Sequence, residues 1–175
     1  PYAKSKLNLK KFFFKKKKKI NFIILRYFNV GGVEKKLRCG FDIKNESLIS
    51  NLCKSFVTDK EFFIYGQTHK TKDGTAIRDY IHVKDLAQIH FKFSQKILKK
   101  NYSEIFNCGY GKPISVKKMY NVFSRVSKKS PKIVYKNKRK KDISISISDV
   151  SKLNREISIN HKENKWLDLA KTSIE

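Results

Sequence analysis

The stretch Asp73–Asp85, reading Asp-Gly-Thr-Ala-Ile-Arg-Asp-Tyr-Ile-His-Val-Lys-Asp, constrains this chain more than any other. Asp73-Gly74 is a turn signal, because glycine takes the positive φ that other residues avoid. Arg78, Asp79, Tyr80 and His82 then interleave with Ile77, Ile81 and Val83, without the clean alternation of a half-buried strand. Asp85 predicts the N-cap of a helix running through Leu86, Ala87, Ile89, His90, Phe93 and Ile97. A guanidinium fork beside a tyrosine and a turn suits a phosphate. A structural Arg–Asp pair at a strand-to-helix corner suits the same residues.

The pattern Asp73-Gly74-Thr75-x-x-Arg78-Asp79-Tyr80-Ile81-His82-Val83-x-Asp85-Leu86-Ala87 resembles the signature segment of the UDP-glucose 4-epimerase family, extended members of the short-chain dehydrogenase/reductase superfamily. Two further motifs follow the same order. Tyr2 and Lys6 stand four residues apart, which on a helix gives them one face. A nearby cation lowers a tyrosine pKa from ~10 and makes the phenol a usable general base. An exposed helix start has the same spacing, and in a lysine-rich chain it recurs by chance. Leu7, Leu9, Phe12, Phe13 and Ile20 continue a rough helical pattern, and Lys15–Lys19 reads as its solvated end and turn. Ile20–Phe28 then reads as a buried strand closing on Arg26-Tyr27-Phe28-Asn29. The resemblance implies that Tyr2 and Lys6 form the catalytic and cofactor-binding pair, that Phe28 approaches NAD, and that Asn29 meets the sugar nucleotide.

Gly31–Asn45 reads as loop, Glu46–Val57 as a helix through Leu48, Ile49, Leu52 and Phe56, and Glu61–Gly66 as a strand. By resemblance Ser47 and Leu48 contact substrate, and Phe63 and Tyr65 line the nucleotide; a core strand accounts for these two aromatics equally well. Glu104–Gly111 is a strand and a glycine turn, but its Gly-x-Gly lacks the third glycine and downstream acid of a phosphate fingerprint. Ser115 caps a helix with the apolar stripe Val116, Met119, Tyr120, Phe123 and Val126. Arg139, Asp142 and Asp149 match the family's Arg-x-x-Asp and the aspartate that opens the next helix. The resemblance gives Arg78 and Arg139 to the diphosphate, Tyr80 to the substrate, and Asp142 to the ribose or base. The final segment departs more, with Ser158-Ile159 for Gly-Trp and Ser146 for tyrosine.

Composition limits the alternatives. With 39% hydrophobic and 13% aromatic residues, 175 residues can build the core of one ordinary domain. A net charge of +26 invites a nucleic-acid reading, yet the lysines are spread through every segment, and solvated faces explain them without a nucleic-acid partner. Cys39, Cys53 and Cys108 form no Cys-x-x-Cys pair, and His69, His82, His90 and His161 have no ligand spacing, so no metal site is expected. A reducing compartment, the cytoplasm, follows from the cysteine pattern. No apolar run approaches ~20 residues, so no membrane span is expected.

The resemblance implies an α/β protein: the C-terminal part of a Rossmann-type NAD-binding fold plus the smaller sugar-nucleotide-binding domain. Residues 1–30 would close the NAD-binding domain and 31–175 would be mainly the substrate domain, with about 81–112 returning to the former. It implies NAD as cofactor, a UDP-hexose as substrate, epimerisation at C4, and admits a homodimer. The chain begins with Pro1 and contains no Gly-x-x-Gly-x-x-Gly loop. It therefore reads as a piece lacking an N-terminal NAD-binding segment, expected to be inactive alone and to leave a strand edge exposed. A non-catalytic sugar-nucleotide binder and a related nucleotide-sugar epimerase or dehydratase remain as alternatives, and a basic nucleic-acid binder as a more distant one.

Overall fold

The computed structural model describes residues 1–34, 46–99, 102–158 and 165–174. The loop expected over Gly31–Asn45 lies in large part outside them. Helix α1 spans Tyr2–Lys16, and strand β1, Phe22–Tyr27, follows a lysine turn. β1 runs parallel to β6, Ser103–Cys108, in the register Phe22↔Ser103 to Tyr27↔Cys108. The connection passes through helix α3, Val83–Lys99, since parallel neighbours need a crossover. β2, Asn29–Gly31, pairs in parallel with β5, Tyr80–His82. β3, Phe62–Tyr65, pairs in parallel with β8, Ile133–Lys136, across helix α4, Val116–Ser127. Two-residue strands complete the frame: β4, Ile77–Arg78, lies between β7, Ile114–Ser115, and β9, Ile145–Ser146. The fold is α/β with mostly parallel pairing, as expected.

The helices are amphipathic for visible reasons. In α2, Leu48–Thr58, the Ser47 hydroxyl accepts the Ser50 N–H at 3.2 Å, and Ile49, Leu52 and Phe56 are buried. In α4 the Ser115 hydroxyl accepts from the Lys118 N–H at 3.2 Å, and Met119, Tyr120 and Phe123 face inward. Both packed stripes agree with the sequence pattern. The start of α3 does not. The helix begins at Val83, and His82 Nδ1 accepts the Lys84 N–H at 3.0 Å, so the cap is an imidazole rather than Asp85. Asp85 lies inside the first turn and accepts the Tyr110 hydroxyl at 2.5 Å.

Two apolar clusters result. One joins α2, β3, α4 and helix α6, Lys165–Ile174, around Leu52, Phe56, Phe62, Met119, Phe123 and Leu169. The other joins β6, α3 and helix α5, Ser151–Glu156, around Ile89, Phe93, Phe106 and Leu153, with β1 packed against it. Neighbouring residues of β5 divide between them: Tyr80 enters the first and Ile81 the second, as the period of two requires. Trp166 packs against both.

Asp79 sits where these parts meet and is fully buried. Its Oδ1 accepts the N–H groups of Tyr80 at 2.9 Å and Tyr110 at 3.2 Å. Its Oδ2 accepts Gly111 N–H at 2.9 Å, Ser148 N–H at 3.2 Å and the Ser148 hydroxyl. Gly109 makes this approach possible, because a Cβ there would stand 2.4 Å from both Asp79 Oδ2 and Ser148 Oγ. Along the backbone, Asp79 N–H donates to Ser146 O at 3.0 Å while its carbonyl accepts Asn29 N–H at 3.2 Å. The chain changes strand partners at this residue. That switch breaks the alternation of the 77–83 segment.

Candidate functional site

Arg78 leaves β4 half-buried and donates from Nη2 to Asp142 Oδ1 at 2.6 Å. Its Nη1 donates to its own segment at Ile77 O, 2.8 Å, which fixes the guanidinium plane. The structural partner of Arg78 is thus Asp142, not its neighbour Asp79, whose oxygens are taken by backbone N–H groups and the Ser148 hydroxyl. Arg139 and Asp142 come together through a tight turn in which Asp142 N–H donates to Arg139 O at 3.2 Å, with Lys141 at φ +65°. The i, i+3 spacing in the sequence is the signature of that turn.

The exposed face of β3 forms the adjoining wall. Phe62 and Ile64 are buried, whereas Phe63 and Tyr65 are 42% and 39% exposed. The alternation rules out the core reading for both aromatics. The β3–β8 register sets Tyr65 opposite Lys136. The Arg139 guanidinium lies 4.1 Å from the Tyr65 ring centroid, and Lys136 Nζ lies 5.0 Å from that of Phe63. Four separated segments, around residues 63–65, 69, 78 and 136–144, therefore make one basic, aromatic corner in which Arg78 fixes the Asp142 carboxylate. One guanidinium and one ammonium over exposed rings, with a second guanidinium and a carboxylate beside them, suit a nucleotide: rings for stacking, cations for phosphate, carboxylate for a hydroxyl or base N–H.

The loop behind the corner is held from within. Gly74 at φ +72° brings position 74 so close to Gln67 O that a Cβ would stand 2.2 Å away. Asp73 Oδ1 accepts Thr75 N–H at 3.0 Å, and Oδ2 accepts the Ser115 hydroxyl. Burial pushes the Asp73 carboxyl up, but the hydrogen bonds from Ser115 and Thr75 outweigh it and hold the group below its ordinary range. This anchor ties the turn to the start of α4.

The remaining expected residues stand elsewhere. Tyr2 and Lys6 share one helical repeat of α1, where Lys6 is exposed. Phe28 is half-buried just past β1, its N–H donating to Cys108 O at 3.1 Å. Asn29 is exposed at the start of β2, and its side-chain amide donates to Asp79 O at 2.7 Å. The sequence holds no Gly-x-x-Gly-x-x-Gly loop of the kind that receives a dinucleotide's pyrophosphate. Ser47 is engaged as the α2 cap, and Leu48 packs against the first cluster. Tyr80 needs correction: it is 1% exposed, edge-on to Trp166 at 6.1 Å, and is a core residue rather than an open contact surface. The inward phase of β5 sends it there. Sequence reasoning missed the roles of His69, Ser144 and Asp79, whose side chains join segments far apart in the chain.

Other chemistry finds less support. Burial pushes the Cys108 thiol up to about 12 and that of Cys53 to about 11, away from nucleophilic use. Among the described residues no group of His, Cys, Asp and Glu gathers to hold a metal ion, and no helix is long and apolar enough to cross a membrane. A cavity of about 460 Å³ lined by Lys112, Arg125, Lys165 and Trp166 shares no residue with the corner.

Residues 1–109 match the NAD dependent epimerase/dehydratase family. UDP-glucose 4-epimerase of Bacillus subtilis (strain 168) is 34% identical over 140 residues, covering 77% of this chain and 40% of the relative. The chain thus spans about 40% of the length of that curated relative. The UDP-Glc/GlcNAc 4-epimerase of Campylobacter jejuni superposes at a TM-score of 0.76 with 32% identity, covering 99% of this chain and 54% of that one. UDP-glucose-4-epimerase from Stenotrophomonas maltophila, solved with NAD and formylated UDP-arabinopyranose, superposes at 0.88 with 24% identity, covering 99% and 53%. With the parallel α/β frame and the family match over 1–109, this chain belongs to the NAD dependent epimerase/dehydratase family.

Proposed function

We propose that this chain carries the sugar-nucleotide site and the tyrosine–lysine pair of an NAD-dependent enzyme that epimerises a UDP-hexose at C4, interconverting UDP-glucose and UDP-galactose. The observation that carries this reading is the corner of Tyr65, Arg78, Arg139 and Asp142, one guanidinium locked to the carboxylate at 2.6 Å and the other over the ring at 4.1 Å. Arg78 and Arg139 hold the diphosphate, Asp142 orients the ribose or base, and Phe63 and Tyr65 flank the nucleotide. Asn29, Ser47 and Leu48 complete the substrate contacts.

The Tyr2 phenolic oxygen takes the proton from the C4 hydroxyl and returns it to the C4 oxygen after the sugar has turned. Lys6, on the same face of α1, favours the phenolate by its charge and holds the cofactor ribose, while Phe28 shields the reacting centre. NAD, when bound, supplies hydride acceptance from C4 and return to its other face. The diphosphate anchor lets the keto sugar rotate without leaving. We assign residues 1–30 and about 81–112 to the NAD-binding part and most of 31–175 to the substrate part. Catalysis is a property of the whole protein, in the cytoplasm, and we expect no turnover from these 175 residues alone.

The test is UDP-galactose conversion by the whole protein with NAD. Turnover is expected, and Tyr2→Phe should lower kcat by a factor of at least ~100 with UDP affinity unchanged. Full activity in Tyr2→Phe would contradict the role of Tyr2. UDP-sugar binding without turnover in the parent whole protein would favour a non-catalytic binder.

A further inference from the structure

His69 adjoins the corner and is used by none of the motifs above. Its side chain has no exposed surface, yet Nε2 lacks a hydrogen-bond partner. The residue is fixed from several sides. Its backbone N–H donates to Gly74 O at 3.1 Å, and Nδ1 lies 3.2 Å from Ser144 Oγ. Gly66, at φ +94°, leaves the ring its space, since a Cβ there would stand 2.7 Å from Nε2. Nε2 faces Asp142 Oδ2 at 3.8 Å, beyond hydrogen-bond distance, while Oδ1 of the same carboxylate is held by Arg78. Buried polar atoms are rarely left unpaired, and this one points at a carboxylate oxygen a fraction of an ångström out of reach.

We propose that His69 is a positioning residue that takes over Asp142 when a nucleoside diphosphate engages Arg78. This rests on the functional reading above and deepens it. Asp142 neutralises Arg78 through the 2.6 Å contact, so a diphosphate that engages the guanidinium competes with the carboxylate. As Arg78 turns to the phosphate oxygens, Asp142 Oδ2 closes onto the Nε2–H of His69, and Nδ1 accepts the Ser144 hydroxyl proton in a hydrogen bond. Oδ1 is then free to accept from the ligand. No covalent bond changes; one charge-assisted hydrogen bond replaces another, which lowers the cost of separating Arg78 from Asp142.

The experiment compares His69→Phe with His69→Gln, whose amide nitrogen can occupy the place of Nε2. UDP affinity is read by calorimetric titration and folding by thermal melting without ligand. His69→Phe should weaken UDP about tenfold, while His69→Gln should recover most of the affinity, with similar melting of the two variants. Unchanged affinity in His69→Phe, or equal weakness in both, overturns the proposal. Should His69→Phe fail to fold, the ¹⁵N shift of Nε2 in the parent decides: movement on UDP saturation supports the proposal and no movement overturns it. A parent that does not bind UDP rejects the functional reading and this proposal together, whereas a parent that binds normally beside an unaffected His69→Phe rejects this proposal alone.

Discussion

Arg78 and Lys6 are both cations assigned to a ligand, but the molecule treats them in opposite ways. Arg78 is half-buried, bonded to Asp142 at 2.6 Å, and braced by a frame of short strands that draws on residues 77–78, 114–115 and 145–146. Lys6 is exposed on α1, whose Leu7, Leu9 and Phe12 are about half exposed, with Phe13 and Phe14 touching Phe22 at 5.4 and 5.3 Å between centroids. The Arg78–Asp142 corner is held by contacts between segments distant in the chain, whereas Tyr2 and Lys6 are placed on one face by the spacing of α1. On the roles proposed above, the corner is therefore expected to bind UDP without Tyr2 and Lys6, and not the reverse.

The largest effect should come from the anchor beneath the corner. Asp79→Asn replaces an acceptor of several buried N–H groups with one that must turn an NH₂ towards them, at a cost of at least ~3 kcal/mol. Urea unfolding should show it, and a loss below ~1 kcal/mol would mean that the junction does not organise the corner. Arg78→Ala should come next, lowering UDP affinity by a factor of ten or more, on the order of 1.4 kcal/mol, because it removes the proposed phosphate contact and leaves Asp142 as a repelling charge. Equal loss from Lys6→Ala would erase the contrast between the two halves.

A smaller effect concerns pH. His82 Nδ1 accepts the Lys84 N–H, and Nε2 faces Thr172 Oγ1 at 2.9 Å, so the neutral ring with its proton on Nε2 joins α3 to α6. Burial holds this imidazole below its ordinary range, with Lys84 assisting and Asp85 and Asp168 opposing; the Tyr110 hydroxyl, bonded to the His82 N–H, faces it from the third side. The folded-state value is depressed, so the unfolded chain takes up the proton first. The stabilisation is present above about pH 6.5 and is lost as pH falls below it towards the folded-state value. Urea unfolding between pH 7.5 and 5 should show a decline that His82→Asn flattens; an identical slope in that variant would remove His82 as its cause.

These contrasts also explain what the sequence could reveal. The caps Ser47 and Ser115 and the stripes of α2 and α4 are local, so residue type and spacing suffice to place them. The Tyr2/Lys6 spacing is local too. The start of α3 departs from the expected cap because the His82 imidazole nitrogen, rather than Asp85, does the capping. Arg78, Arg139, Asp142 and Tyr65 were visible through family resemblance. Their mutual geometry was not, since it depends on strands two residues long and on a partner switch at Asp79. His69 carried no signal at all, because its meaning arises only when the 66–74 loop folds against Ser144 and Asp142.

The most direct measurement is calorimetric titration of UDP into the protein and into Arg139→Ala. Arg139 lies over Tyr65 and takes no part in the Arg78–Asp142 pair, so its removal tests the corner with little disturbance of the frame. Saturable one-site binding by the parent, weakened about tenfold in the variant, is the expected result. Equal binding by both proteins, or none by the parent, would contradict the assignment of this corner to a sugar nucleotide.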